Sequence, residues 1–310
     1  MSRAAYEPYL KFSQQSGAFL GAFHQPQNEN LQALFESEDA AQGADGLFAQ
    51  VAAAVHPQES SKQAMLDRSP YSNPAQLEQD LQDAAERGWI TLSESGFTAT
   101  DKALAFTQKL ITELKARADE TEAAVQADIP ELVAVLERVV NGAEAAPFDF
   151  KPFFTYGRNY EYEDKTPSML WVRRHLISLG SYRDDCHISA WRELEVPGCV
   201  FETLTFFWNE EAKTAAELAE NLSFRNYQEA DYAEALEKLV KLGWAVKGGE
   251  GYAITEEGKS VRQAVENKTD ENYMEAFTVL SDQELAELTA MLASMAEVLT
   301  PETEEDAPPA

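Results

Sequence analysis

One stretch of this chain occurs twice. Arg87-Gly88-Trp89-Ile90, followed by Gly96-Phe97-Thr98-Ala99-Thr100-Asp101, returns as Leu242-Gly243-Trp244-Ala245, followed by Gly251-Tyr252-Ala253-Ile254-Thr255-Glu256. The shift is 155 residues without a gap, half of the 310-residue chain. Leu77, Leu81 and Gly88 fall on Tyr232, Leu236 and Gly243 at the same shift. Leu132, Val135 and Val139 fall on Leu285, Leu288 and Leu292 at a shift of 153. A period this long is a whole domain and not a solenoid unit. The chain therefore reads as two related domains, residues 1–145 and 168–299, with a connector over 146–167 and an acidic tail at 300–310 that reads as disordered.

Each copy carries the same local signals. Thr214-Ala215-Ala216-Glu217 is a capping box that opens a short helix through Leu218 and Leu222. Asn226-Tyr227-Gln228-Glu229 reads as a second box, opening a helix with Tyr232, Leu236, Leu239 and Val240 on one face. Gly243 is suited to end that helix in a left-handed conformation. Trp244–Val246 and Tyr252–Ile254 predict two short strands around a glycine-rich turn. In the first copy Asn73 is the N-cap, Pro74 the first helical residue, and Trp89-Ile90 and Phe97 mark the strands. Two short helices followed by a hairpin make a winged helix, a helix-turn-helix with a β-wing.

Long helical regions follow the hairpins, over Asp101–Val125 and Glu256–Leu280, and capped final helices start at Asp128 and Ser281. Leu285, Leu288, Leu292, Met295 and Leu299 alternate in steps of three and four, which fits a coiled-coil seam or a core-facing helix. The seams predict that Leu132, Val135 and Val139 pack near Leu285, Leu288 and Leu292. The apolar stretches Phe19–Phe23, Leu47–Val55, Leu170–Leu179 and Val200–Trp208 supply two more helices per copy. The fold class is mainly α with small β-wings: two tandem winged-helix domains plus long helices forming a pseudo-twofold, dimerisation-like region.

The run Thr214–Glu220, the run Leu236–Trp244, Ile254–Lys259 and Leu280–Leu285 together resemble the multiple-antibiotic-resistance-regulator (MarR) type of winged-helix transcriptional regulator. The resemblance covers about Phe201–Leu299 and recurs more faintly in the first copy. It implies a dimer of interlocked terminal helices, here a pseudo-dimer within one chain, with two heads facing neighbouring DNA grooves. It also implies an effector pocket between the helical region and a head. Family wings carry an Asp-x-Arg element, whereas the tips here are Leu92–Ser95 and Lys247–Glu250.

Charge bears on that implication. There are 54 acidic against 25 basic side chains, a net charge of −29. Such an excess opposes a large phosphate-binding surface or docking on an anionic membrane. Glu78, Asp80 and Asp83 lie on one recognition helix, and Glu229, Asp231, Glu234 and Glu237 on the other. The candidate DNA contacts are Arg225, Asn226, Lys238, Lys241 and Lys247, with Arg68 and Arg87 the further cations nearby.

The densest polar cluster is Tyr182–His187, preceded by Arg173, Arg174 and His175. Tyr182, Arg183, His187, Trp191 and Trp208 form the candidate effector pocket; packing and ion pairing between helices is the competing reading. Asp184, Cys186 and His187 do not suit one metal, because adjacent Cys and His cannot easily ligate together from a straight helix. No metal or cofactor is expected. His24 and His56 stand alone, and Tyr156, Tyr160 and Tyr162 read as interdomain packing or a stacking platform. No phosphate loop, nucleophile elbow, His-Glu-x-x-His or Cys-x-x-Cys is present, so no catalytic residue is assigned and the chain reads as non-enzymatic. Two cysteines make no disulfide framework, and the N-terminus lacks a signal-peptide core, which predicts a cytoplasmic protein. Two functions stand: a transcriptional regulator acting on operator DNA, with an effector, or a tandem winged-helix module that has lost DNA binding and docks on a protein partner. Neither involves a membrane.

Overall fold

The structure, a computed structural model, describes residues 6–25, 28–40, 44–159, 162, 164–249 and 251–300. Tyr160, Glu250 of the second wing tip and 301–310 of the tail lie outside the described residues.

The chain is mainly helical with two small sheets. It begins with α1 (Glu7–His24), α2 (Asn28–Ser37) and α3 (Asp45–Val55). A two-residue strand β1 (Ser60–Ser61) leads into α4 (Lys62–Arg68), α5 (Pro74–Glu86), the hairpin β2 (Ile90–Leu92) and β3 (Gly96–Ala99), then α6 (Asp101–Ala124) and α7 (Ile129–Ala145). A short helix α8 (Pro152–Asn159) follows. The order then runs through α9 (Met169–Arg192), α10 (Gly198–Trp208), α11 (Ala215–Asn221), α12 (Glu229–Lys241), β4 (Ala245–Gly248), β5 (Gly251–Ile254), α13 (Glu256–Met274) and α14 (Asp282–Leu299).

Local chemistry explains most boundaries. The Asn73 side chain accepts from Ala75 N at 3.1 Å with Pro74 at the first helical position, so α5 starts there. Thr214 with Glu217 and Ser281 with Glu284 form complete capping boxes on α11 and α14. Gly88 and Gly243 have φ of +77° and +79°, the left-handed conformation that ends α5 and α12 and turns the chain into each hairpin. The expected box at Asn226 is displaced. Asn226 itself is left-handed, and Gln228 caps α12 in a box with Asp231. Asn is tolerated at positive φ, so it serves as the turn and leaves the cap to the residue two further on.

In the first half β1 pairs with β3, which also pairs with β2. In the second, Tyr252 N donates to Lys213 O at 2.8 Å, a single bridge in the equivalent place. Sequence alone indicated neither, nor α2, and it treated the segment holding α8 as plain connection.

Three apolar clusters form. One joins α3, α5, the first hairpin and the start of α6 around Trp89, Phe97 and Phe106. A second joins α10, α11 and α12 with Trp191, Phe201 and Trp244. The third and largest is central and is built from α1, α6, α7, α9 and α14. There α1 lies along α14, while α9 lies along α7 and α13. The first helix of each half is thus seated on the last helix of the other half. This corrects one expectation: Leu132 and Val139 do share a core with Leu285, Leu288 and Leu292, but the main partner of α7 is α9, and that of α14 is α1. An apolar stripe declares that a face is buried without naming what covers it.

The connector binds the three clusters together. Phe148 and Phe154 pack into the central core, Phe150 and Phe153 against that of α10–α12, and Tyr156 against that of α3–α5. Asp185 on α9 accepts the backbone N–H groups of Phe153 and Phe154 at 3.1 and 2.8 Å, which fixes the start of α8. Among the described residues no helix is long and apolar enough to cross a membrane.

Candidate functional site

In a helix-turn-helix the second helix reads DNA from its N-terminal end. The N-terminal ends of α5 and α12, the two helices expected from sequence to take that role, meet each other. Asn73 N donates to Arg225 O at 3.0 Å, and Asn73 Nδ2 donates to Asn226 O at 3.0 Å. Tyr227 OH donates to Ser72 O at 3.2 Å. The Tyr71 ring lies 5.5 Å from that of Trp191, and Gly198 at the start of α10 abuts the carbonyl of Pro70. The turn between α4 and α5 is therefore docked on the second half's α10 and on its own counterpart between α11 and α12.

Arg225 is built into this contact. Its Nε and Nη2 donate to Glu202 Oε1 at 3.0 and 2.8 Å, and its guanidinium lies 5.3 Å from the centre of the Tyr71 ring. Glu202 is buried on α10; desolvation raises its carboxyl pKa, and Arg225 counters this. The neighbouring Asn226 offers its carbonyl to Asn73, so both residues face the first half.

The remaining candidates are elsewhere. Lys238 and Lys241 lie in the last turn of α12, roughly 14 and 18 Å from its start at 1.5 Å per residue. Lys247 on β4 pairs with Glu237, whose Oε1 also accepts from Tyr252 OH at 2.8 Å. These hydrogen bonds hold the Glu237 carboxyl below its usual range and the Lys247 ammonium above its own. Arg87 makes two hydrogen bonds to the fully buried Asp45. The fold thus divides the five candidates between opposite ends of α12 and the wing. Outward from the contact, Glu78 is exposed on α5, and Glu229, Glu234 and Glu237 on α12.

A model of the helix-turn-helix family matches residues 109–304, more than half of the chain. The chain belongs to the helix-turn-helix family. The matched span starts inside α6 and takes in α7, the connector and the whole second half, so the family unit includes the last helix of the first half with its partner α9. No curated protein and no solved structure matches the chain.

Within this helix-turn-helix protein the five residues expected around an effector are packed along α9 and α10. Tyr182 is fully buried and donates to Asn272 O at 2.8 Å. Arg183 lies 3.6 Å from Asp270. His187 Nδ1 sits 3.2 Å from Thr269 Oγ1 and 3.7 Å from Glu266, and burial lowers its pKa to about 4. Trp191 stacks on Phe201 at 5.3 Å. Trp208 lies under the Arg262 guanidinium at 4.8 Å, beside a shallow surface hollow at Lys259 and Gln263. A cavity of about 430 Å³ opens in the first half, between α3, α4 and the connector, with Arg68 in its wall. Sequence reasoning missed this cavity and the contact at Asn73. Neither has a periodic or motif signal, since one is empty space and the other consists mostly of hydrogen bonds to backbone carbonyls.

Proposed function

We propose that the protein is a non-enzymatic regulator, a MarR-like tandem winged-helix pseudo-dimer in one chain, that acts through a protein partner and does not straddle an operator. The carrying observation is the docking of Asn73 on Arg225 and Asn226. Two-headed reading places recognition helices in grooves about one DNA turn apart, roughly 34 Å. Heads hydrogen-bonded at the N-terminal ends of those same helices do not span that distance. Electrostatics works in the same direction: the outward faces of α5 and α12 are acidic, Arg225 and Arg87 are matched by buried carboxylates, and Lys247 is matched by Glu237 at the surface. The two heads correspond to residues 1–145 and 168–299 with their shared helical core. The two buried free cysteines, Cys186 and Cys199, suit a reducing cytoplasm.

Selection from a pool of randomised duplexes, with an anisotropy titration of random duplex at low and moderate salt, tests this reading. No enriched sequence and a flat titration are expected. Enrichment of an inverted repeat, or steeply salt-dependent binding lost in Lys238→Ala/Lys241→Ala, overturns it. Family membership favours a second reading, in which the heads separate and then bind DNA through those two lysines. Duplex enrichment by a head-separating variant, but not by the parent, is its signature.

A further inference from the structure

Tyr71-Ser72-Asn73 falls on Phe224-Arg225-Asn226 at a shift of 153 residues, the separation of the hydrogen-bonded pair Asn73 and Asn226. The two aromatics are therefore counterparts, but they are used differently. Tyr71 is packed into the second half, its ring 5.5 Å from that of Trp191 and 5.3 Å from the Arg225 guanidinium. Phe224, in the short turn between α11 and α12, is 64% exposed, the most of any large apolar side chain among the described residues. The contact between the two turns is thus unequal: one ring closes it and the other is left outside.

A single exposed apolar residue is ordinary on a protein surface. Phe224 differs in being fixed. The Arg225 guanidinium lies 4.8 Å from the centre of its ring, and two hydrogen bonds tie Arg225 to Glu202. The backbone is held as well, since Asn73 N donates to Arg225 O at 3.0 Å. A ring already in place loses little freedom when a partner covers it, which is what suits an aromatic to anchor an interface. The surface next to it is small and acidic. Pro74 and Ala75 at the start of α5 are exposed, as is Ala230 on α12. Glu220 in the last turn of α11 and Glu229 at the first position of α12 are exposed and carry no ion pair among the described residues. Glu78 on α5 is exposed too, with Lys62 at 3.5 Å. The adjoining cation, Arg225, is already matched by Glu202.

We infer that Phe224 anchors a docking surface for a basic segment of a partner protein, which lays an apolar side chain on the ring and turns lysines or arginines toward Glu220, Glu229 and Glu78. The inference rests on the protein-partner reading above and names the surface and the partner's chemistry. Charge makes the selection. An acidic segment meets like charge at all three carboxylates. A single nucleic-acid strand finds a ring to stack a base on, but brings its phosphates to the same carboxylates. The surface belongs to the second half alone, because the counterpart ring, Tyr71, is spent on the contact with Trp191.

The test is an anisotropy titration of the full chain with a labelled amphipathic helical peptide, leucine on one face and lysine on the others, at about 150 mM salt to screen unspecific attraction. A second peptide of equal charge has serine in place of leucine. Saturable binding of the leucine–lysine peptide is expected, at least about tenfold weaker for the serine peptide and for Phe224→Ser, as the loss of one anchor gives. Phe224→Tyr keeps the ring and binds like the parent. Val298→Ser, which removes another exposed apolar side chain on α14, leaves binding unchanged. Glu220→Gln/Glu229→Gln weakens binding and flattens its salt dependence. No saturable binding, equal binding of the two peptides, or binding undiminished in Phe224→Ser overturns the inference. So does tighter binding of a labelled single-stranded oligonucleotide that is lost in Phe224→Ser. The protein-partner reading itself is overturned by duplex binding of the parent, so the two failures are told apart.

Discussion

Asn73 Nδ2 donates to the carbonyl of Asn226 at 3.0 Å, joining the N-cap of α5 to the left-handed turn before α12. One side chain thereby serves two purposes: its Oδ1 caps its own helix, and its amide holds the turn before α12. The relationship joins the N-terminal ends of α5 and α12, whose outward sides carry the exposed Glu78, Glu229, Glu234 and Glu237.

Gly198 tests that contact most directly. A Cβ there falls 1.9 Å from Pro70 O and 2.7 Å from Pro70 C, both backbone atoms that cannot rotate away. Gly198→Ala is expected to push the α4–α5 turn off α10, costing ~1–3 kcal/mol as an overpacked contact does. Amide hydrogen exchange at Asn73 and Asn226 rises with it. Gly249→Ala, with nothing within 4 Å of the added carbon, leaves both stability and exchange unchanged. Equal behaviour of the two variants contradicts the latch.

Arg225→Ala separates a structural role from a DNA-contacting one. Removing the guanidinium leaves Glu202 buried with no cation, and breaking a buried pair costs roughly 3–5 kcal/mol. The upper part of that range is reduced here, because the Arg225 side chain is itself 26% exposed. A loss of about 2–3 kcal/mol in urea unfolding is expected, and Glu202→Gln added to Arg225→Ala recovers part of it by removing the orphaned charge. A fully stable Arg225→Ala protein contradicts this role.

Much of the architecture was legible because it is written in local chemistry. The caps at Asn73, Thr214 and Ser281, the turn glycines Gly88 and Gly243 and the two hairpins are each set by residues within a few positions of one another. Pro152 lies within the expected connector over 146–167, yet it opens α8, because proline at a first helical position loses no hydrogen bond. The pairing of α1 with α14 and α7 with α9 was not legible, since periodicity marks a buried face and not its partner. Similarly, Arg225 and Lys247 looked like free cations in sequence. Their carboxylates, Glu202 and Glu237, lie 23 and 10 residues away and are found only once the chain has folded.

The interlock predicts that damage in the central core unfolds both halves together. Phe277 is 1% exposed and packs edge-on against Phe12 of α1 at 5.0 Å and Tyr273 at 5.1 Å. Phe277→Ala is expected to cost about 3–5 kcal/mol through lost burial and the cavity left behind. Trp89 and Trp244 lie in separate apolar clusters, so their near-ultraviolet signals are expected to fall in one transition, at lower urea than in the parent. Two separated transitions contradict a shared core.

The acid response follows from buried histidines. His175 is 3% exposed, its Nε2 has no partner, and burial with help from Arg174 and Arg158 lowers its pKa to about 4. The unfolded chain takes up a proton near pH 6.5, which the folded chain refuses until about pH 4. Its contribution, on the order of 3 kcal/mol, is thus complete above the unfolded value and is lost as pH falls through the folded one. His24, held at about 4 by burial and by Arg173, adds in the same direction. Asp185, raised to about 7 by burial, acts oppositely and favours the fold as pH falls below that value. In urea titrations between about pH 6 and 5, His175→Phe is expected to lower the slope of stability against pH by about 1.4 kcal/mol per unit, the equivalent of one proton. A slope identical to the parent's shows that His175 titrates alike in both states, and that its burial carries no acid sensitivity.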